Sequence, residues 1–143
     1  MSTQHKIRLI LIGIFAAAAT VFTYAQDMTV TIKNVKGDAG MIRLAIYNSA
    51  DQFMKKDIQH AEVKAVNGEA IAVFKNLSAG TYAISVMRDA NNNKELDSNM
   101  FGIPKEGFGF SNDVMGMFGP PDFKKASFEF SAKTQIVISL KYM

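Results

Sequence analysis

Apolar and polar residues alternate at every second position through most of the chain beyond residue 25. In the first such segment, Met28, Val30 and Ile32 alternate with Thr29 and Thr31. Successive side chains of a β-strand point to opposite faces, so this period indicates strands that bury one face. We therefore predict about seven strands. They cover residues 28–32, 42–46, 61–66, 69–74, 82–87, 127–131 and 136–142.

The turns between most of these segments are short, and no segment has the pattern of a long amphipathic helix. Asn67-Gly68, between the third and fourth segments, is the dipeptide most typical of a two-residue β-hairpin. Strands with one apolar face are stable when two sheets pack face to face. The pattern predicts an all-β fold, an antiparallel two-sheet β-sandwich of the immunoglobulin-like or transthyretin-like kind, with one long irregular loop.

That long loop is the segment 89–126, which spans 38 residues without a clear strand or helix pattern. Irregular segments of this length are uncommon in compact domains, and most of them carry function or have their own means of stabilisation. The candidate functional residues are therefore expected here.

The first 25 residues have the pattern of a secretory signal peptide. Lys6 and Arg8 precede an uncharged apolar run at 9–22, and Thr23-Tyr24-Ala25 places small residues before a cleavage site at Gln26. The apolar run is short for a membrane-spanning helix, although a retained N-terminal anchor is the alternative. We predict a signal peptide at 1–25, a single domain at 26–143, a periplasmic or secreted location, and no stable membrane insertion after cleavage.

Composition narrows the classes of partner and chemistry. The formal net charge is +3, and subtracting the two positive charges of the leader leaves +1, too little for the basic stripe of a nucleic-acid binder. Cysteine is absent, so the domain must be stabilised by its core, and thiol catalysis and cysteine-ligated zinc are excluded.

Two resemblances follow from particular sequence blocks. The segment FKNLSAGTY at 74–82 is similar to a turn of transthyretin-like and Cna-B-like sandwiches. A second resemblance covers nearly all of the domain and is to the exported bacterial family called domain of unknown function 2141. This resemblance implies an exported β-sandwich and no established activity. It rests on RLAIYN at 43–48, DANNNKELD at 89–97, FGIPKEGFGFSN at 101–112 and FGPPDF at 118–123.

The start of the long loop has oxygen-bearing residues at the spacing of a calcium-binding loop. Calcium takes six to eight oxygen ligands, and such loops supply them from positions 1, 3, 5, 7 and 9. The corresponding candidate metal ligands are Asp89, Asn91, Asn93, the carbonyl of Glu95, and Asp97.

Two positions depart from the calcium-loop pattern. Lys94 stands where glycine usually makes the sharp turn, and Met100 stands where a bidentate glutamate completes the site. The alternative interpretation is a plain turn, because Asn and Asp side chains bond their own backbone and tolerate left-handed geometry. Calcium binding, if present, is expected to be weak and to order the loop.

Phenylalanines interleaved with glycines follow in the same loop, and Phe101, Phe108, Phe110 and Phe118 are the candidate ligand-binding residues. Aromatic faces can stack on a ligand, and glycines allow it to approach closely. The alternative is that these rings, with Phe123, fold back as a cover over the sandwich core.

Catalytic candidates are few. His60 is the only histidine beyond the leader, which leaves no nucleophile–histidine pair with an evident partner. Glu106 and Asp113 are the candidate acid–base pair of a small carboxylate-dependent hydrolase, the alternative function. A docking subunit of an envelope assembly is a further alternative. The favoured function is a non-catalytic envelope binding or structural module, with an envelope protein or a glycan as candidate partner.

Overall fold

The computed structural model describes residues 24–143, which form eight β-strands, one 3-10 turn and one short helix. The predicted signal peptide lies almost entirely outside these residues. The 3-10 turn is Ser111–Asp113 and the helix, α1, is Phe123–Ala126. The strands are β1 (Gln26–Lys33), β2 (Met41–Tyr47), β3 (Gln59–Val63), β4 (Ala70–Leu77), β5 (Gly80–Asp89), β6 (Phe108–Phe110), β7 (Phe128–Phe130) and β8 (Ile136–Ser139).

Two sheets build the predicted β-sandwich, which is confirmed. The smaller sheet has the order β4-β1-β8, and the larger has the order β3-β2-β5-β6, with β7 also pairing with β5. All pairs are antiparallel except β1 with β8, which run parallel. Beyond β8, Lys141 exchanges backbone hydrogen bonds of 2.8 and 3.1 Å with Phe108, so the end of the chain links the two sheets along one side.

The main core lies between the sheets and consists of the apolar residues that the alternation singled out. Met28, Val30 and Ile32 of β1 are fully buried and face the apolar side chains of β2 and β5. Burying one such side chain stabilises the fold by about 1.5–3 kcal/mol. Because every second residue of each strand points inward, the intervening residues form the two outer faces of the sandwich.

The Asn67-Gly68 turn forms as predicted, but it does not join two paired strands. Both residues have positive φ, +53° and +81°, as the tightest hairpin turns require, and Val66 and Glu69 exchange hydrogen bonds of 2.8 and 3.2 Å. Beyond that bridge the strands separate, since β3 pairs with β2 and β4 pairs with β1. The turn therefore carries the chain from one sheet to the other.

The segment 89–126 contains short elements that the alternation did not predict. β6 is only three residues long, and it extends the larger sheet by pairing with β5. The 3-10 turn and α1 follow it. The rest of the segment is irregular and lies over the outer face of the larger sheet, where it forms the candidate site. Within residues 24–143 no helix combines the length and the apolar character needed to cross a lipid bilayer.

Candidate functional site

The floor of the candidate site is the outer face of the larger sheet. Strand register sets two rows of side chains across β3, β2, β5 and β6. One row begins with charged residues at the β3 edge and becomes apolar towards β6, and the second is polar at that edge and aromatic at β6. The rows are Glu62–Arg43–Met87–Phe108 and His60–Ala45–Ser85–Phe110.

Two stretches of the long segment, residues 94–104 and 115–120, complete the walls over this floor. Together with the floor they enclose a cavity of about 760 Å³. This volume is within the range of about 300–1,000 Å³ that is usual for small-molecule sites. Most of the lining is apolar; Arg43, His60 and Glu62 are polar groups at or near the β3 edge, and the other polar groups are Tyr47, Ser85 and Lys94.

All four predicted ligand-binding phenylalanines line this one cavity. Phe108 and Phe110 are buried in the floor, whereas Phe101 and Phe118 stand at the rim with 80% and 98% of their surface exposed. Each of the two interpretations made from the sequence, a cover and an exposed ligand platform, therefore fits two of the four rings. Phe108 and Phe110 cover the sheet, and Phe101 and Phe118 remain exposed. That any of them binds a ligand stays a prediction.

Methionine is the lining residue that the sequence interpretation missed. Among the eight methionines of residues 24–143, five line the cavity: Met54, Met87, Met115, Met117 and Met143. The thioether side chain is unbranched and polarizable, so it adapts to ligands of different shape. The tripeptide Met-Phe-Gly at 117–119, which repeats the one at 100–102, could have indicated Met117, but it does not mark the other four.

A small apolar cluster beside the cavity holds the covering segment in place. Phe53 lies at its centre and makes edge-to-face contacts with Tyr47, Phe110 and Phe123 at centroid distances of 5.2, 6.3 and 5.7 Å. Such pairs add about 0.5–1.5 kcal/mol each beyond the area that they bury. Phe123 therefore packs in this cluster and takes no part in the cavity lining.

Ser111 anchors the end of β6 beneath this cluster. Its side chain is fully buried, and its hydroxyl accepts a hydrogen bond from the Ile84 amide at 2.9 Å and donates one to the Ala126 carbonyl at 2.5 Å. These bonds connect β5, β6 and α1. They thereby hold the floor of the cavity and α1 together.

The candidate calcium loop begins at Asp89, whose carboxylate is fully buried. Its Oδ2 accepts hydrogen bonds from Arg43 Nε at 2.6 Å and from the Lys94 amide at 2.9 Å, and its Oδ1 accepts one from the Asn93 amide at 3.0 Å. Arg43 also forms an ion pair with Glu62. The guanidinium thus provides the positive charge next to this carboxylate.

The other predicted metal ligands lie in the same curled loop. Asp97 accepts hydrogen bonds from the side-chain amides of Asn91 at 2.7 Å and Asn93 at 2.9 Å, and the Asn93 side-chain oxygen accepts one from the Glu95 amide at 3.0 Å. Lys94 adopts the left-handed conformation, φ +67°, that glycine usually supplies there. Among residues 24–143, no three acidic or histidine side chains are grouped as a metal site would require. Calcium binding stays a prediction.

The electrostatics of the Asp89–Arg43 pair keep both groups charged. Burial raises the pKa of Asp89, but the hydrogen bonds from Arg43 and from the two backbone amides outweigh it, so the pKa lies below the ordinary value. The hydrogen bond to Asp89 likewise raises the pKa of Arg43. The pair is a structural clamp between β2 and the loop.

The candidate acid–base residues are engaged elsewhere. Glu106 is buried and accepts hydrogen bonds from the amides of Ala90 and Asp97 at 2.8 and 3.0 Å, which braces the same loop. Asp113 accepts one from the Ser139 amide at 2.7 Å, next to β8. Neither carboxylate lines the cavity. The mostly apolar cavity is therefore suited to holding an apolar ligand, and Glu106 and Asp113 accept hydrogen bonds from backbone amides outside it.

Comparison with known proteins adds the family. The profile of the family described as uncharacterized protein conserved in bacteria, DUF2141, matches residues 30–138, which include all eight strands except the first residues of β1 and the last residue of β8. No match is found among curated proteins or among solved structures. The chain therefore belongs to the DUF2141 family of bacterial proteins.

Proposed function

We propose that this protein is a non-catalytic binding module of the bacterial envelope that holds a small apolar ligand on the outer face of its larger sheet. The observation that carries the proposal is the cavity of about 760 Å³ lined by phenylalanine, methionine and aliphatic side chains. Outer faces of sandwich sheets are usually polar and solvated. Here the chain instead covers that face with two mainly apolar stretches, residues 94–104 and 115–120.

The distribution of polar groups indicates an elongated ligand that is apolar along most of its length. Phe108 and Phe110 give a rigid floor at the β6 end, and the methionines give an adaptable cover. Towards β3 the charges of Arg43, Glu62 and Asp89 are already paired with one another. A ligand therefore gains by burying its own apolar surface, which is worth about 25 cal/mol per Å².

The envelope location in this proposal is supported by the N-terminal sequence. Lys6, Arg8 and the apolar run at 9–22 have the order of a secretory signal, which would deliver the domain to the periplasm or the exterior. We also infer kinship with transthyretin-like and Cna-B-like sandwiches. Its support is the turn before β5, where Tyr82 is buried and donates its hydroxyl to the Ser78 carbonyl at 2.8 Å.

The candidate calcium loop contributes to this cavity through Lys94 and Leu96. Calcium as its cofactor is a prediction that the spacing of Asp89, Asn91 and Asp97 supports, while Arg43 already neutralises Asp89. Nothing in the positions of Glu106 and Asp113 favours the hydrolase alternative, so it is not proposed.

Binding of the fluorescent apolar dye N-phenyl-1-naphthylamine, followed by displacement with long-chain fatty acids, tests the proposal. Ala45 lies in the middle of the cavity floor, so Ala45→Trp fills the cavity. Ala132→Trp is the matched control, since Ala132 is exposed in the turn after β7. We expect saturable dye binding that Ala45→Trp weakens by at least about tenfold, or about 1.4 kcal/mol, while the control keeps it.

Two results would contradict the proposal. One is a parent protein whose dye fluorescence does not saturate. The other is equal dye binding by Ala45→Trp and Ala132→Trp when thermal unfolding shows that both are folded.

A further inference from the structure

Two loop tips at the mouth of the cavity carry the same short sequence. The first tip is residues 98–104 and the second tip is residues 114–121, and each contains Met-Phe-Gly followed by one residue and then proline. The four large side chains are almost entirely exposed: Met100 90%, Phe101 80%, Met117 87% and Phe118 98%. Single exposed apolar residues are ordinary, but paired apolar tips of this kind mark an interaction surface.

Neither tip contains a charged residue, and cationic residues follow each of them. Lys105 comes directly after the first tip, and Lys124 and Lys125 lie in α1 after the second tip; all three are exposed. Three acidic residues with exposed surface also flank the tips: Asp97, Asp113 and Asp122. Exposed apolar side chains with lysines close by in the sequence are the composition with which proteins bind the interface of an anionic bilayer.

Backbone amides of the first tip form hydrogen bonds within the tip itself. The Asn99 side-chain oxygen accepts hydrogen bonds from the amides of Phe101 and Ile103 at 2.9 and 3.1 Å, and the Asn99 carbonyl accepts one from the Gly102 amide at 3.0 Å. The Asn99 amide donates to the Ile103 carbonyl at 2.9 Å. An unpaired amide is costly in hydrocarbon, so this internal pairing lowers the cost of insertion.

The second tip has a different construction. Pro120 and Pro121 have no amide hydrogen to satisfy. Gly116 permits the chain to double back on itself, because a β-carbon there would lie 2.0 Å from the Gly119 carbonyl oxygen. Met117 and Phe118 are thereby presented at the end of a tight, neutral loop.

We propose that the two tips dock the protein on the surface of an anionic lipid bilayer. Met100, Phe101, Met117 and Phe118 enter the boundary between headgroups and acyl chains, and the lysines that follow the tips contact the headgroups. A fluid bilayer has no fixed shape to match, so two separate small tips suffice, whereas a protein partner requires about 800 Å² of complementary surface on each side. Since Phe101, Met117 and Phe118 also line the cavity, its mouth faces the bilayer. This docking goes beyond ligand holding and does not depend on it.

Tryptophan is absent from the chain, so a single introduced tryptophan reports on one position. The experiment uses Phe101→Trp and Phe118→Trp with vesicles of phosphatidylethanolamine and phosphatidylglycerol, plain or with brominated acyl chains. The control is Val137→Trp, exposed on the outer face of the smaller sheet. We expect both tip reporters to shift to shorter wavelength and to be quenched by brominated chains, and the control to show neither change.

Co-sedimentation of the same vesicles with the double variant Phe101→Ser and Phe118→Ser completes the test. We expect its vesicle partitioning to fall by at least about tenfold, equivalent to about 1.4 kcal/mol. Because every variant carries the same N-terminus, the differences report the tips. Ala45→Trp, which fills the cavity but leaves the tips intact, should sediment like the parent, so failure of ligand binding and failure of docking are distinguishable.

Two outcomes would overturn the proposal. In the first, the tip reporters respond to brominated chains no more than Val137→Trp does. In the second, their emission shifts without vesicles as protein concentration rises, which would assign the tips to a second copy of the chain.

Discussion

Removing the Asp89 carboxylate tests the structural clamp between β2 and the loop. In Asp89→Ala, Arg43 keeps only its ion pair with Glu62, the Lys94 amide loses its acceptor, and the Asn93 amide keeps only its 3.2 Å bond to the Asn91 side-chain oxygen. The Arg43 side chain is 13% exposed. Breaking a buried ion pair from one side usually costs about 3–5 kcal/mol. Because Glu62 still compensates part of the charge, we expect the lower end, about 3 kcal/mol.

Urea denaturation followed by circular dichroism measures this loss of unfolding free energy. For a domain of this size, a loss of about 3 kcal/mol corresponds to a fall in the thermal melting midpoint of about 10–15 °C. Asp97→Ala is the matched control in the same loop, since Asp97 is partly exposed and its carboxylate bonds only the side-chain amides of the exposed residues Asn91 and Asn93. We expect the control to cost less than about 1 kcal/mol.

Replacing both Arg43 and Asp89 distinguishes the cost of an unpaired buried charge from the cost of lost side-chain packing. In the double variant Arg43→Met and Asp89→Leu no buried charge is left unpaired, so we expect much of the stability lost in Asp89→Ala to return. The reasoning would be refuted if Asp89→Ala destabilised the protein no more than Asp97→Ala does.

Two further predictions concern the effects of pH and of calcium on the stability of the protein. Because the pKa of Asp89 is lowered in the folded state, its stabilising contribution is complete above about pH 4 and is lost as pH falls through the folded pKa. The difference in unfolding free energy between the parent and Asp89→Ala should therefore shrink below about pH 4 in a series of urea titrations. The second prediction concerns calcium, for which a loop of this kind is expected to have a Kd of about 1 mM. In thermal melts, about 10 mM calcium should then stabilise the parent by about 1.4 kcal/mol and leave the stability of Asp89→Ala unchanged. A parent melting midpoint that calcium does not change would remove calcium as a cofactor.

Much of the fold could be predicted because strand formation shows as a local pattern. Met28, Val30 and Ile32 are apolar at every second position, and a segment with that period buries them only as a strand. The Asn67-Gly68 turn was equally local, because both residues tolerate the positive φ that the turn needs. β6 was missed since Phe-Gly-Phe is too short to show a period, and pairing with β5 is what makes it a strand.

The candidate site shows where local information ends. The oxygen spacing from Asp89 to Asp97 correctly indicated a curled loop, but it contained no sign of Arg43, which is 46 residues away in the chain. Strand register brings them together, since Met41 is the partner of Asp89 and Arg43 is two residues further along the same face. The sequence interpretation therefore found the loop and missed its clamp.

The amino-acid sequence by itself determined most of the strands, the tight turns and the irregular, phenylalanine- and glycine-rich character of the segment after β5, because these follow from neighbouring residues. Only the tertiary structure decided that this segment lies over the outer face of the larger sheet, that four phenylalanines meet at one cavity, and that two Met-Phe-Gly tips stand at its mouth. The physical reason is that burial and pairing between distant segments depend on strand order and register. Those quantities are set by the whole chain at once.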